Sequence, residues 1–298
     1  MMNKNHLLEK FYSKRRSLIL RSLISIVGFF LIVFCLIKIQ NDEEFIAKIN
    51  IQGIIQDRSD IIDEIDNLIN DNNVKGFLAV INSPGGTYVG SKELFDSIKL
   101  LSKKIPTVVY MREMATSGGY LVSLSANKIY GNSGTITGSI GVILQTADIS
   151  ELLNQIGITP VIIKSGKLKA VPNPAEKIDE EKIIYLQEVI EKMQREFMEL
   201  VKSNREISNS TSQLIRDGRI FTGKQAKELN LIDDLGNEKD ALNWLKEKGE
   251  LDETIKIKEL LGKNDLKSIL DFKFLKKKFK YLNQNFYNGF FAIWTPGI

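Results

Sequence analysis

The sequence predicts an α/β domain behind one N-terminal transmembrane helix, and three features carry that expectation. Strand-like and helix-like runs alternate from Glu44 to about Gly262, the pattern of sheet and helix layers sharing one core. Glycine clusters sit where strand-like runs end, at Asn82–Gly86 and again through Gly131–Ile143. An uncharged apolar run, Ser22–Ile37, precedes all of this.

The anchor comes first. SLISIVGFFLIVFCLI lies between Arg21 and Lys38, whose long side chains can reach the headgroups. Counted over residues 18–39, a helix is about 33 Å long at ~1.5 Å per residue, enough for a ~30 Å hydrocarbon layer. Lys4, Lys10, Lys14, Arg15, Arg16 and Arg21 precede it, whereas Asp42, Glu43 and Glu44 follow. The positive-inside rule then makes residues 1–17 a cytoplasmic tail and exports the rest. No small-x-small site follows the run, so the helix reads as a retained anchor and not as a cleaved signal.

The domain expected over residues 44–262 begins with a strand at Phe45–Ile55 and a helix at Ser59–Asn70. A buried strand, Gly76–Ser83, runs into Pro84, Gly85 and Gly86. A helix over Ser91–Lys103 and a strand over Pro106–Glu113 repeat the unit, and Ser117–Ala126 opens another helix. After the glycine-rich loop and short strand of Gly131–Ile143, Ile149–Gly157 reads as a helix and Ile158–Gly166 as a strand. No repeat of fixed period underlies the alternation.

Over residues 176–205, Ile183, Leu186, Ile190, Met193, Phe197 and Leu200 recur at spacings of three and four. They lay one apolar seam along a long helix, to be packed on its own domain or shared between subunits. In residues 263–298 lysines alternate with aromatics, a pattern that suits a membrane surface, an added helix or a loose tail.

Composition narrows the chemistry. The 298 residues are 43% hydrophobic and 26% charged, ordinary globular usage, and a net charge of +4 with interleaved signs is no nucleic-acid footprint. The one cysteine, Cys35, excludes an intrachain disulfide and a cysteine-rich zinc site. The one histidine, His6, lies with Cys35 outside the expected domain. That domain therefore has no Ser-His-Asp triad, no thiol nucleophile and no histidine metal site, and neither a metal nor another cofactor is expected. Lysine, carboxylate and tyrosine remain as bases.

Two turns stand out as candidate chemistry. Ser117, in MATSGGYLVS, lies between a strand and a helix, where free backbone N–H groups can stabilise an oxyanion. The turn NSPGG ends a second strand at the sheet edge where open α/β folds place their sites, and Gly86 could supply another N–H. Each has an ordinary alternative, an N-cap serine and a plain turn. A serine nucleophile without histidine needs another base, and a lysine serves once desolvation lowers its pKa from about 10.4 toward ~7–8. Lys164, Lys167 and Lys169 all follow the strand-like run VII (161–163), and spacing alone does not choose among them.

Taken in order, INSPGG, MATSGGYLVS, TGSIGV, IKSGKLKAVPNPAE and DGRIFTGKQAKELNLIDDLG resemble the signal peptide peptidase A (protease IV) family of Ser/Lys-dyad peptidases, over roughly Ile46–Leu245. The resemblance implies a Clp-protease/crotonase-like spiral of strand-strand-helix units in a homo-oligomer at the bacterial-type cytoplasmic (inner) membrane. By motif, the nucleophile is Ser117, the general base Lys169, and Ser139 orients that lysine. Gly86 and Gly118 would be the oxyanion donors. Thr116 stands where alanine is more usual, and Ala170 where some members carry an acid. The implied partners are membrane lipid and peptides, above all signal peptides already cleaved from exported proteins. Competing readings are a peptidase for misfolded membrane proteins, a crotonase-like acyl-transfer enzyme and a non-catalytic membrane scaffold.

Overall fold

The computed structural model describes residues 25–30 and 43–260, together with the backbone of 291–293. The chain divides into two units, Met1–Glu44 and Phe45–Ile298. In the first, residues 25–30 are helical, and the rest of the expected 18–39 anchor lies outside the described residues, as does the expected tail 1–17. Among the described residues no helix is long and apolar enough to cross a membrane. Of the expected tail 263–298, only 291–293 is described.

The second unit is built on a sheet whose centre is parallel. β1 (Phe45–Gln52), β2 (Val74–Ser83) and β4 (Thr107–Thr116) lie side by side, with β9 (Lys256–Glu259) on the far side of β1. β2 is buried along almost its whole length, as a strand covered on both faces must be. Alternate residues serve opposite faces. Ala47, Ile49, Ile51, Phe77, Ala79, Ile81, Val109 and Met111 join the core that includes residues of α1 (Ser59–Leu68), α2 (Tyr88–Ser102) and α3 (Gly118–Ser123). Ile46, Leu78, Val80, Val108 and Tyr110 form the other face, where α8 (Glu238–Lys248) supplies Ala241 and Leu245.

β4 forks. On the edge away from β2, its first half pairs with β5 (Lys128–Gly131) and its end with β6 (Ile136–Gly138). Between Ile81↔Met111 and Ser83↔Ala115, β4 advances four residues while β2 advances two. The extra residues bulge and bend β4, so that its end serves a second set of neighbours. β6 pairs antiparallel with β7 (Ile220–Thr222), and β5 pairs with β8 (Asp234–Leu235).

The elements differ from expectation in three places. α2 begins at Tyr88, three residues early, because Thr87 caps it by accepting the Gly90 N–H. The long helix is α5 (Glu180–Asn204), and it packs on its own domain mainly through its C-terminal half: Phe197, Met198 and Val201 are buried there, whereas in its first turns Leu186 is buried but Ile183, Ile184 and Tyr185 are exposed. Finally, Ile158–Gly166 forms no strand, and α4 (Ser150–Gln155) before it buries no residue. Val161 and Ile163 stand 82% and 94% exposed. A β-branched run becomes a strand only when its backbone finds a neighbour, and this one pairs with none among the described residues.

Candidate active site

β4 ends at Thr116 and α3 begins at Gly118, leaving Ser117 at the turn with φ 53° and ψ −115°. Residues with a Cβ avoid that region, so the fold must hold Ser117 there. It does so through the backbone: Ser117 N–H donates to the Gly138 carbonyl at 2.8 Å, and the Ser117 carbonyl accepts from Leu121 N–H at 2.9 Å. The side chain makes no capping bond; among the described residues its Oγ has only a long 3.4 Å contact to the Gly141 carbonyl. The N-cap alternative for Ser117 is thus absent, and a lightly engaged hydroxyl remains at the mouth of a helix. Next to it the Thr116 hydroxyl is buried without a hydrogen-bond partner among the described residues.

The second turn is fixed by Ser83, which is fully buried. Its Oγ donates to the Gly53 carbonyl at 2.6 Å and accepts from Gly85 N–H at 3.0 Å. The turn leads into β3 (Gly85–Thr87), which lies against Ile55: Ile55 N–H donates to Gly85 O and Thr87 N–H to Ile55 O, each at 2.8 Å. Gly86 sits so close that a Cβ there would be 1.7 Å from the Ile55 carbonyl oxygen. Consecutive residues of an extended chain turn their polar groups to opposite edges. With Gly85 O and Thr87 N–H engaged by Ile55, Gly86 N–H and C=O face the other edge. α3 packs against β3, so Gly86, Ser117 and the first-turn amide of Gly118 gather where β2 and β4 end.

Ser139 belongs to the same edge. Thr116 pairs with Gly138 across β4 and β6, which sets Ser139 beside the Ser117 turn. Ser139 itself has φ 52°, and its N–H donates to the Arg219 carbonyl at 2.8 Å. Gly138, at φ 84°, has no room for a side chain: a Cβ would be 2.7 Å from the Phe221 ring. The Asp217 and Arg219 side chains pair with each other on the surface, so it is the Arg219 backbone that reaches the site. From α5, Gln194 Nε2 donates to the Ile140 carbonyl at 3.0 Å. Sequence reasoning missed Ser83 and Gln194; the available signals were a polar residue closing a buried strand and one interrupting an apolar seam.

Lys169 is not joined to this cluster. It lies on an exposed loop, its N–H donating to the Gly166 carbonyl at 3.1 Å, and its ammonium has no hydrogen-bond partner among the described residues. The other two lysines are engaged: Lys164 pairs with Glu176 and Lys167 with Glu181. The hydrogen bond that Lys167 donates to Glu181, reinforced by the carboxylate's charge, raises the pKa of Lys167 above the ordinary lysine value. A lysine held protonated in this way is a poor base. The open cleft between α5 and α6 (Asn209–Leu214), bordered by Gln194, Met198 and Arg216, does not include Ser117.

Comparison with known proteins adds independent findings. The model of peptidase family S49 matches residues 99–252. A candidate protease of Methanocaldococcus jannaschii is 37% identical over 62% of this chain and 60% of its own length. One from Synechocystis is 36% identical over 67% of this chain and 72% of its own. A candidate signal peptide peptidase of Enterococcus faecium is 33% identical over 69% of this chain and 64% of its own. The matched part therefore spans less than two thirds of the first and third of these relatives.

Proposed function

Because the chain belongs to peptidase family S49, we propose that it is a membrane-anchored serine endopeptidase with Ser117 as nucleophile and Lys169 as general base. The observation that carries this reading is the Ser117 turn: a strained serine without a side-chain cap bond, at the end of β4, where α3 packs on β3 and Gly86 turns its N–H away from Ile55. The pairing of Lys164 and Lys167 with carboxylates supports Lys169 as the base among the three lysines.

In the proposed cycle, neutral Lys169 takes the Ser117 hydroxyl proton as Oγ attacks the peptide carbonyl. The Gly86 and Gly118 N–H groups hold the oxyanion. The peptide C–N bond breaks, protonated Lys169 gives its proton to the leaving amine, and water then hydrolyses the acyl-enzyme by the same route. Ser139, beside Ser117, orients the lysine when it arrives.

Arrival requires that the Lys169 loop be covered, since an exposed ammonium is not desolvated. The loop lies between two exposed apolar stretches, one with Val161 and Ile163 and the other with Ile183 and Ile184. We assign their burial to a neighbouring copy in a homo-oligomer. The β4 fork supports the Clp-protease/crotonase-like spiral for residues 44–262, with residues 18–39 anchoring it in the cytoplasmic membrane. The substrates proposed are remnant signal peptides, which are apolar, unfolded and released in the same bilayer.

The test is cleavage of a synthetic apolar signal peptide by the detergent-solubilised chain, beside Ser117→Ala and Lys169→Ala, with folding followed by circular dichroism. Both substitutions are expected to reduce cleavage to background, a loss of at least about 10³-fold. Undiminished cleavage by either folded variant overturns the dyad.

A further inference from the structure

The backbone of residues 291–293 forms β10 (Phe291–Ile293), an antiparallel partner of β3. The register is Phe291↔Thr87, Ala292↔Gly86 and Ile293↔Gly85. β10 also touches α3, the helix that Ser117 precedes. It thus lies on the edge of β3 opposite Ile55, the edge toward which Gly86 N–H and C=O point.

We propose that residues 291–293 are a tethered competitor of substrate, occupying the peptide-binding edge of the active site by strand addition. The inference rests on the peptidase reading of that site. A peptide held in extended form beside Ser117 can add as a strand to the edge of β3 opposite Ile55. Two residues that face each other as a hydrogen-bonded antiparallel pair exchange both N–H···O bonds. Gly86 and Ala292 are register partners, and both Gly86 groups point at β10. The Gly86 N–H engaged by Ala292 is then closed to a substrate carbonyl. A tethered occupant competes at an effective concentration of up to about the millimolar range, so an added peptide must displace it before it can be cleaved.

The decisive variant is Ala292→Pro in the full chain. Proline has no N–H to give Gly86 O, and its ring disfavours pairing in that register. The variant is expected to lower the apparent KM for an added apolar signal peptide about tenfold with kcat unchanged. A chain ending after Gly289 should behave alike. Binding is read separately by anisotropy of a fluorescein-labelled apolar peptide in the Ser117→Ala background, where adding Ala292→Pro should lower Kd by a similar factor. Equal KM and equal Kd in folded parent and variants overturn the competitor. Tighter labelled-peptide binding without hydrolysis by any form sinks the peptidase reading and leaves the competitor standing. Hydrolysis at one common KM, with one common Kd, does the reverse.

Discussion

At the scale of single residues, the site depends on backbone conformations that side chains tolerate poorly. Ser117 and Ser139 both have φ near 50°, and each is held by an N–H bond to a distant carbonyl, Gly138 and Arg219 respectively. Thr116 adds a cost of another kind. Its hydroxyl is buried without a partner among the described residues, and an unsatisfied buried hydroxyl costs about 1–3 kcal/mol. Thr116→Val keeps the β-branched shape that suits β4 and removes the orphan, so it should raise stability by about 1 kcal/mol in urea denaturation. A loss of stability would mean that the hydroxyl has a partner. Ser117 was legible in sequence as a serine between a strand-like run and two glycines, but a capping serine looks the same there. The dihedral angles and the missing cap bond distinguish the two.

At the scale of elements, strands with both faces apolar were the most legible. β1, β2 and β4 appear where apolar runs stand in the sequence, because burial on both faces demands those runs. The stretch from Ile143 to Tyr185 was the least legible. It has the apolar content of a helix, a strand and a helix start, yet Leu152, Ile156, Val161, Ile163 and Ile183 are all exposed. Hydrophobic pattern reports that a face will be covered and leaves open which molecule covers it. If a second copy does so, Val161→Asp combined with Ile163→Asp should leave the thermal midpoint of the separated subunit within a few degrees of the parent's. Both side chains lie outside its core. The same pair should shift light scattering toward monomer and reduce peptide cleavage at least about tenfold by charging a desolvated interface. An unchanged oligomer would remove the arm from the interface.

At the scale of the whole molecule, charge pairing at the outer sheet strands sets a pH dependence of folding. Hydrogen bonds from Lys128 and Lys227 hold the Asp234 carboxyl below the ordinary carboxylate range, and Asp234 begins β8 beside β5. Asp179, capping α5, and Asp252, bonded to Thr254, are lowered as well. A carboxyl lowered on folding binds fewer protons in the native state than in the unfolded one. Its stabilisation is therefore present above the unfolded pKa and is lost as pH falls through the lower, folded value. Urea midpoints should fall as pH drops below about 4, and Asp234→Asn should flatten that fall. An equally steep fall in the variant would assign the effect to other groups.

The linear chain settled what is local. The alternation of strand and helix follows from hydrophobic period, and the exclusion of a histidine base follows from a domain without histidine. Both are properties of composition and neighbouring residues. Tertiary structure decided the convergences: Ser139 beside the Ser117 turn through the β4–β6 register, Gly86 turned away from Ile55, Lys169 on an unburied loop, and Phe291–Ile293 laid along β3. Those depend on which distant strands share hydrogen bonds. No local pattern encodes such a pairing, because each strand's polar groups are satisfied equally well by any partner of suitable register.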